Sequence, residues 1–318
     1  MTAPSLIPPV DLPPVEAPPL APQGAERRTL RTRRDVISYL DWPAVGEERG
    51  SVLLLHGLQS TALTMARIGE RLAAAGWRVI APDLPGHGHS FALDGSDAER
   101  PGAFDASRLT ILRLRLSRRH RLRVTARVVA ELARELGLDD AAVLGHSWGA
   151  SIAAVLPSVG FVPSVMILLD PPFVTAAQAR RLGMEAMAAP TPSYEEARDT
   201  LLTHEREWHP LDLAAKAEAV TRVSTSTMVA VVAGNVPFDP VPALRHTARR
   251  HPAAAVYVIT GVPDHGSFVT PAGLARLRAL LGDDHVIVME AGHSPHRTHH
   301  DEFMAVVEGI LEGSRSAT

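Results

Sequence analysis

The run Gly145-His146-Ser147-Trp148-Gly149 has the G-x-S-x-G spacing of a nucleophile elbow, and it stands between an apolar run (Ala141 to Leu144) and a stretch of small residues. That spacing asks the serine to occupy a strained turn that exposes its hydroxyl above a sheet, while the flanking glycines let neighbouring backbone come close. Five letters alone arise easily by chance; their place between a buried strand and a helix start gives them meaning. A serine hydroxyl is a poor nucleophile near neutral pH. It needs an imidazole to take its proton and a carboxylate to orient that imidazole and stabilise its cation. Two later segments carry such groups, each after a β-rich run: Gly261-Val262-Pro263-Asp264-His265, and Glu290-Ala291-Gly292-His293-Ser294-Pro295-His296.

These residues need a frame that brings them to one edge. From residue 26 onward short β-rich runs alternate with helical patterns, which predicts an α/β protein with a mostly parallel central sheet covered by helices. Seven strands are expected: Asp35 to Trp42, Ser51 to His56, Trp77 to Ala81, Ala141 to Leu144, Val165 to Leu169, Ala255 to Thr260 and His285 to Met289. Ser51 to His56 is continuously apolar up to its histidine, as a strand buried on both faces should be. Helices are expected at Ala62 to Ala75, Leu122 to Leu136, Ala272 to Leu281 and Asp301 to Leu311, with Gly76 and Gly137 as stops;. About 85 residues without a comparable strand separate Leu169 from Ala255. Their pattern (Thr175 to Met187, Ser193 to Trp208, Leu211 to Val223, Pro242 to Arg250) reads as helices broken by prolines. The expected organisation is a proline-rich arm over 1–25, a core over 26–170 and 253–318, and a helical cap over 171–252. Such a cap would lie over the carboxyl ends of the strands, where open α/β sheets bind ligands.

The ordered motifs from residue 26 to 312 resemble the α/β-hydrolase family. His56-Gly57-Leu58-Gln59 is similar to its oxyanion-loop motif, and Asp83-Leu84-Pro85-Gly86-His87-Gly88-His89-Ser90 resembles its D-x-P-G-x-G-x-S loop, a structural marker. The resemblance implies an order of nucleophile, acid, histidine along the chain. It assigns Ser147 as nucleophile, Asp264 as acid and His293 as base, with the backbone N–H groups of Leu58 and Trp148 holding the developing oxyanion. Asp170, at the end of the preceding strand, is the alternative acid, and His296 the weaker candidate base.

What the triad implies is hydrolysis of a carboxylic ester or lactone through an acyl-enzyme. The same groups also serve amide, thioester and carbon–carbon hydrolysis, acyl transfer and perhydrolysis, and some members of the fold bind ligands without turnover. Epoxide hydrolase and dehalogenase chemistry in this fold uses a carboxylate nucleophile, which Ser147 argues against. Gln59, Phe173, Trp208, Phe238 and Phe268 are candidates for the substrate pocket, with Met184, Met187 and Met228 beside them. With three Tyr, four Trp and seven Phe in 318 residues, the lining should be mostly aliphatic, which favours a hydrophobic small-molecule substrate.

Composition narrows the remaining choices. A net charge of -3 gives no global pull toward nucleic acid or an anionic membrane. No cysteine is present, which excludes disulfides and thiolate sites and fits a reducing compartment, so a cytoplasmic location is expected. No apolar run approaches the roughly 20 residues of a membrane span. The eight prolines among the first 24 residues read as an extended arm and not as a signal peptide. The cluster His296, His299, His300 and Asp301 tempts a metal reading, but Asp301 suits a helix start and the triad calls for no metal or cofactor. Arg108, Arg113, Arg115, Arg118, Arg119, Arg121 and Arg123 read as a solvated basic face.

Overall fold

The computed structural model describes residues 22–33, 35–92, 120–188 and 191–315. The prolines before residue 22 and the arginines from Arg108 to Arg119 lie outside the described residues. Among the described residues nine strands form one sheet: β1 (Glu26–Arg31), β2 (Asp35–Trp42), β3 (Ser51–Leu55), β4 (Arg78–Pro82), β5 (Phe91–Ala92), β6 (Ala142–His146), β7 (Val165–Leu169), β8 (Ala255–Thr260) and β9 (Val286–Val288). The order is β1-β2-β4-β3-β6-β7-β8-β9, with β5 paired to β2. β1, β2 and β4 pair antiparallel, and every pairing from β4 through β9 is parallel. All seven expected strands are present. β1 (ERRTLR) and the two-residue β5 are additional; β1 escapes the apolar pattern because it is a largely exposed edge strand.

Alternation along the strands builds two cores. Leu53 and Leu55 of β3 join Val143, Met166 and Leu168 on one face, under helices Leu122–Glu135 and Trp148–Val155. Val52 and Leu54 join Leu144, Ile167 and Leu169 on the other, under helices Ala66–Ala74 and His300–Arg315. With both faces covered, the parallel strands have no polar side to show, which is why they read as unbroken apolar runs.

Between β7 and β8 the described residues form five helices: Ala176–Ala188, Tyr194–His204, Pro210–Thr221, Thr225–Asn235 and Val241–Arg250. Thr225–Asn235 is the one the pattern does not announce, because TSTMVAVVAGN has no 3.6-residue period and is rich in β-branched residues;. Its start is fixed by Ser224, whose hydroxyl accepts the Thr227 N–H at 3.0 Å;. Val241 and Leu244 of the fifth helix are buried in the same cluster as Leu53 and Val143, so that helix packs as part of the layer on the sheet. Among the described residues no helix is long and apolar enough to cross a membrane.

Candidate active site

Strand β6 ends at His146 and the helix Trp148–Val155 begins two residues later, so the chain must reverse direction at Ser147. It does so with φ 53° and ψ −111° at Ser147, a left-handed conformation that is costly for a residue with a Cβ. The turn is held from several sides. The Ser147 N–H donates to the Leu169 carbonyl at 2.9 Å, and a Cβ on Gly149 would collide with the Leu55 carbonyl of β3. Only glycine permits that approach. Ser147 itself keeps some exposure.

The loop after β9 carries His293. Its carbonyl accepts a hydrogen bond from His146 Nε2 at 2.9 Å, and the two rings lie 4.7 Å apart, which places the histidine loop against the strand end that bears Ser147. A Cβ on Gly261, at the end of β8, would collide with the carbonyls of Ala291 and Gly292; this close contact seats the loop on the sheet edge. His296 is buried beside His146, rings 4.5 Å apart, and makes no contact with a carboxylate. His300 Nδ1 bonds the His296 carbonyl at 3.0 Å, His299 Nδ1 bonds the Thr298 hydroxyl, and Asp301 pairs with Arg71 at 3.2 Å; the four residues of this cluster do not converge.

The carboxylate that meets His293 is Asp170, not Asp264. His293 Nδ1 and Asp170 Oδ2 are 2.5 Å apart. Asp170 is completely buried at the carboxyl end of β7, with φ 42°, and its oxygens accept from Thr260 Oγ1 at 2.6 Å, Ser267 Oγ at 2.5 Å and the Phe268 N–H at 2.9 Å. Burial alone would raise its pKa, but the hydrogen bond and charge of His293, with the Ser267 and Thr260 hydroxyls, outweigh that and hold it below the usual carboxylate range. The expected acid, Asp264, sits in the short turn Pro263–His265, exposed to solvent. The segment after β8 does supply the site, but with donors: Thr260, Ser267 and Phe268 come from it, and they leave no place for a second carboxylate at His293 Nδ1.

The segment after β3 passes directly over the elbow, since a Cβ on Gly57 would lie 3.3 Å from Ser147 Cβ. His56 fixes this loop from beneath. Its Nδ1 bonds the Gly57 carbonyl at 2.8 Å and its Nε2 accepts the Leu84 N–H at 2.9 Å, while burial lowers its pKa to about 4, so the ring is neutral. Asp83, fully buried, takes N–H groups from Ala62 and His89 and an ion pair from Arg27 at 2.9 Å, which gives the Asp83 to Ser90 loop a structural role. Gln59 adopts φ 55°, and its carbonyl accepts from Lys216 Nζ at 2.7 Å. The N–H of Trp148 is the first of its helix and has no acceptor within it.

A cavity of about 250 Å³ adjoins Gln59, lined by Ala197, Leu201, Val220, Val223 and Met228 among others. Gln59 and Met228 are expected members. Phe173 packs on Gly273 of the helix Pro271–Leu281, Trp208 lies under the Arg297 guanidinium at 4.5 Å, and Phe238 packs edge-on to Trp148 at 6.0 Å; none of these three lines the cavity, because each is consumed in packing. Phe268 stands edge-on to His293 at 4.6 Å. Met184 is exposed, and the side chain of Met187 lies outside the described residues. Sequence reasoning passed over Lys216 and Arg297, both set inside the protein near the site; a lysine in the alanine-rich run LAAKAEAV, with Glu218 as its other charged residue, was the available signal.

A match to the profile of the "Alpha/beta hydrolase family" extends over residues 52–306. Among curated relatives, the chain is 33% identical over 142 residues to the magnesium-chelatase 30 kDa subunit of Rhodobacter capsulatus, covering 44% of this chain and 42% of that protein; the chain spans less than half the length of the curated relatives it matches. Among solved structures, E-2-(acetamidomethylene)succinate hydrolase superposes with a TM-score of 0.68 at 18% identity over 91% of this chain and 99% of that one. The enol-lactonase of Burkholderia xenovorans LB400 gives 0.63 at 18% identity, over 87% and 97%. A profile match that begins in β3, takes in the Ser147 turn, the Asp170–His293 pair and both sheet-edge loops, and ends in the last helix leaves one assignment: the chain belongs to the alpha/beta hydrolase family.

Proposed function

We propose that the protein is a serine hydrolase that cleaves a carboxylic ester or lactone with an aliphatic body through an acyl-enzyme. Ser147 attacks the carbonyl carbon; His293 takes the hydroxyl proton and returns it to the leaving oxygen; Asp170 holds the imidazole tautomer and stabilises the imidazolium. The backbone N–H groups of Leu58 and Trp148 receive the oxyanion. Water, deprotonated by the same histidine, then releases the acid and restores Ser147. The observation that carries this reading is the joint presence of a strained serine at a strand-to-helix turn and a histidine on the adjoining loop already bonded to a buried carboxylate.

The apolar lining of the cavity beside Gln59 supports an aliphatic substrate body. In this reading the helices between β7 and β8 that border the cavity act as a cap. Reaction with a fluorophosphonate probe tests the core of the proposal: wild-type protein is labelled at Ser147, Ser147→Ala is not, and folded wild-type protein that resists the probe would overturn it. A screen over esters of graded acyl length, lactones, thioesters and anilides then tests the bond type. Anilides turned over while esters stay inert would replace ester hydrolysis by amide hydrolysis.

A further inference from the structure

Lys216 sits in the helix Pro210–Thr221, set deep in the protein yet not fully covered. It shares a helical face with Val220, four positions on, which lines the cavity, as does Val223 just past the helix end; Lys216 stands behind this lining. Its Nζ reaches the carbonyl of Gln59, a third member of that lining, at 2.7 Å. One of the three ammonium donors is thereby used, and no carboxylate of a described residue forms an ion pair with it.

Arg297 stands behind it. Arg297 is only 5% exposed, its Nε and Nη2 buried without a hydrogen-bond partner, its guanidinium stacked on Trp208 at 4.5 Å, and its charge acts on Lys216. The carboxylates that face the two cations are Glu205 and Asp212; Asp212 is bound to Arg67 at 2.9 Å, and Glu205 pairs with neither. The neighbouring imidazoles of His146 and His296 are held neutral by burial. Among the described residues Lys216, Arg297 and Arg67 thus face two carboxylates in a low-dielectric place; the lysine can shed its proton there, the arginines cannot, and a carboxylate arriving beside Lys216 would hold it charged.

We propose that Lys216, backed by Arg297, reads a carboxylate on the substrate: the preferred ester is a half-ester of a dicarboxylic acid, with its free carboxylate against the Lys216 ammonium on the Gln59 side of the cavity. The inference rests on the serine-hydrolase reading and narrows its substrate class. Lys216 is a specificity-determining residue in this scheme; it takes no part in the proton transfers.

The test compares p-nitrophenyl hydrogen glutarate with its neutral methyl ester, p-nitrophenyl methyl glutarate, on wild type, Lys216→Met and Lys216→Gln. Wild type favours the acid; Lys216→Met loses about 10- to 100-fold in kcat/KM on the acid, the size of one charge-assisted hydrogen bond, and changes little on the neutral ester. Lys216→Gln keeps a donor for the Gln59 carbonyl but no charge, and should lose the acid preference equally. Wild type that turns over the neutral ester without preferring the acid overturns the proposal and leaves the hydrolase reading standing. Equal losses on both substrates also overturn it, making Lys216 a support for the Gln59 loop only. Failure on both substrates together with absent labelling of Ser147 overturns the hydrolase reading itself, and this inference with it.

Discussion

At the scale of single residues, the decisive distinction is between two aspartates that both follow strands of the sheet. Both were legible as candidates, and motif likeness favoured Asp264. The structure favours Asp170 because side-chain direction at a strand end depends on the local dihedral angles and on who donates to the carboxylate. Asp170 turns at φ 42° into a nest of Thr260, Ser267 and Phe268 donors, and nothing in residue spacing reveals that nest. Replacing Asp170 by Asn should leave the fold in place but present an amide to His293 Nδ1, favouring the wrong tautomer; kcat should fall by about 10²- to 10⁴-fold. Asp264→Asn should leave kcat unchanged. Steady-state kinetics on one activated ester separates the two, and a large loss in Asp264→Asn with none in Asp170→Asn would reverse the assignment. Ser147 and His293 are each the sole residue of their kind at the motif position, so spacing alone singles them out.

At the scale of elements, the parallel strands and their helices were readable from sequence because burial on two faces leaves an unbroken apolar run followed by an amphipathic helix. What sequence missed has physical reasons: β1 is polar because it is an edge, and Thr225–Asn235 lacks a period because it is at least half-covered on nearly every side, with only Ser226 and Ala233 exposed. The elbow depends on a meeting of elements. Gly149 in the helix after Ser147 lies against the Leu55 and His56 carbonyls at the end of β3, so the Ser147 turn and the loop after β3 share one contact. Gly149→Ala must push them apart. Overpacking of this kind costs about 1–3 kcal/mol, and here the strain falls on the spacing between the Ser147 turn and the loop after β3. The expected outcome is lower stability in denaturant titration together with a drop in kcat on esters. A variant as active and as stable as wild type would show that the two elements move independently of this contact.

At the scale of the whole molecule, the chain places an unusual number of histidines in its interior around the site, and this couples folding to pH. Burial lowers the pKa values of His56 and His89 to about 4 and of His87, His146 and His296 well below the ordinary 6.5. In the unfolded chain these imidazoles take up protons near 6.5, so between about 4 and 6.5 the unfolded state binds more protons than the folded one. Stability must therefore rise with pH through that window and be fully gained above it. Asp83 and Asp170 act at lower pH: their folded pKa values are depressed, and their contribution is lost only as pH falls below the ordinary carboxylate range. Lys216 adds an alkaline arm. Its folded pKa is lowered to about 7 from 10.5, first by burial and then by Arg297, so the unfolded state again holds the extra proton between those values and stability rises across them. Unfolding free energies from urea titrations at pH 5, 6.5, 8 and 9.5 should climb steeply over the first interval and more gently over the last two, and Lys216→Met should remove the gentle climb while leaving the steep one. A flat profile from pH 5 to 6.5 would mean that the buried histidines remain protonated in the folded protein, and the neutral His56 and His146 that tie down the Gly57 and His293 carbonyls would have to be reconsidered.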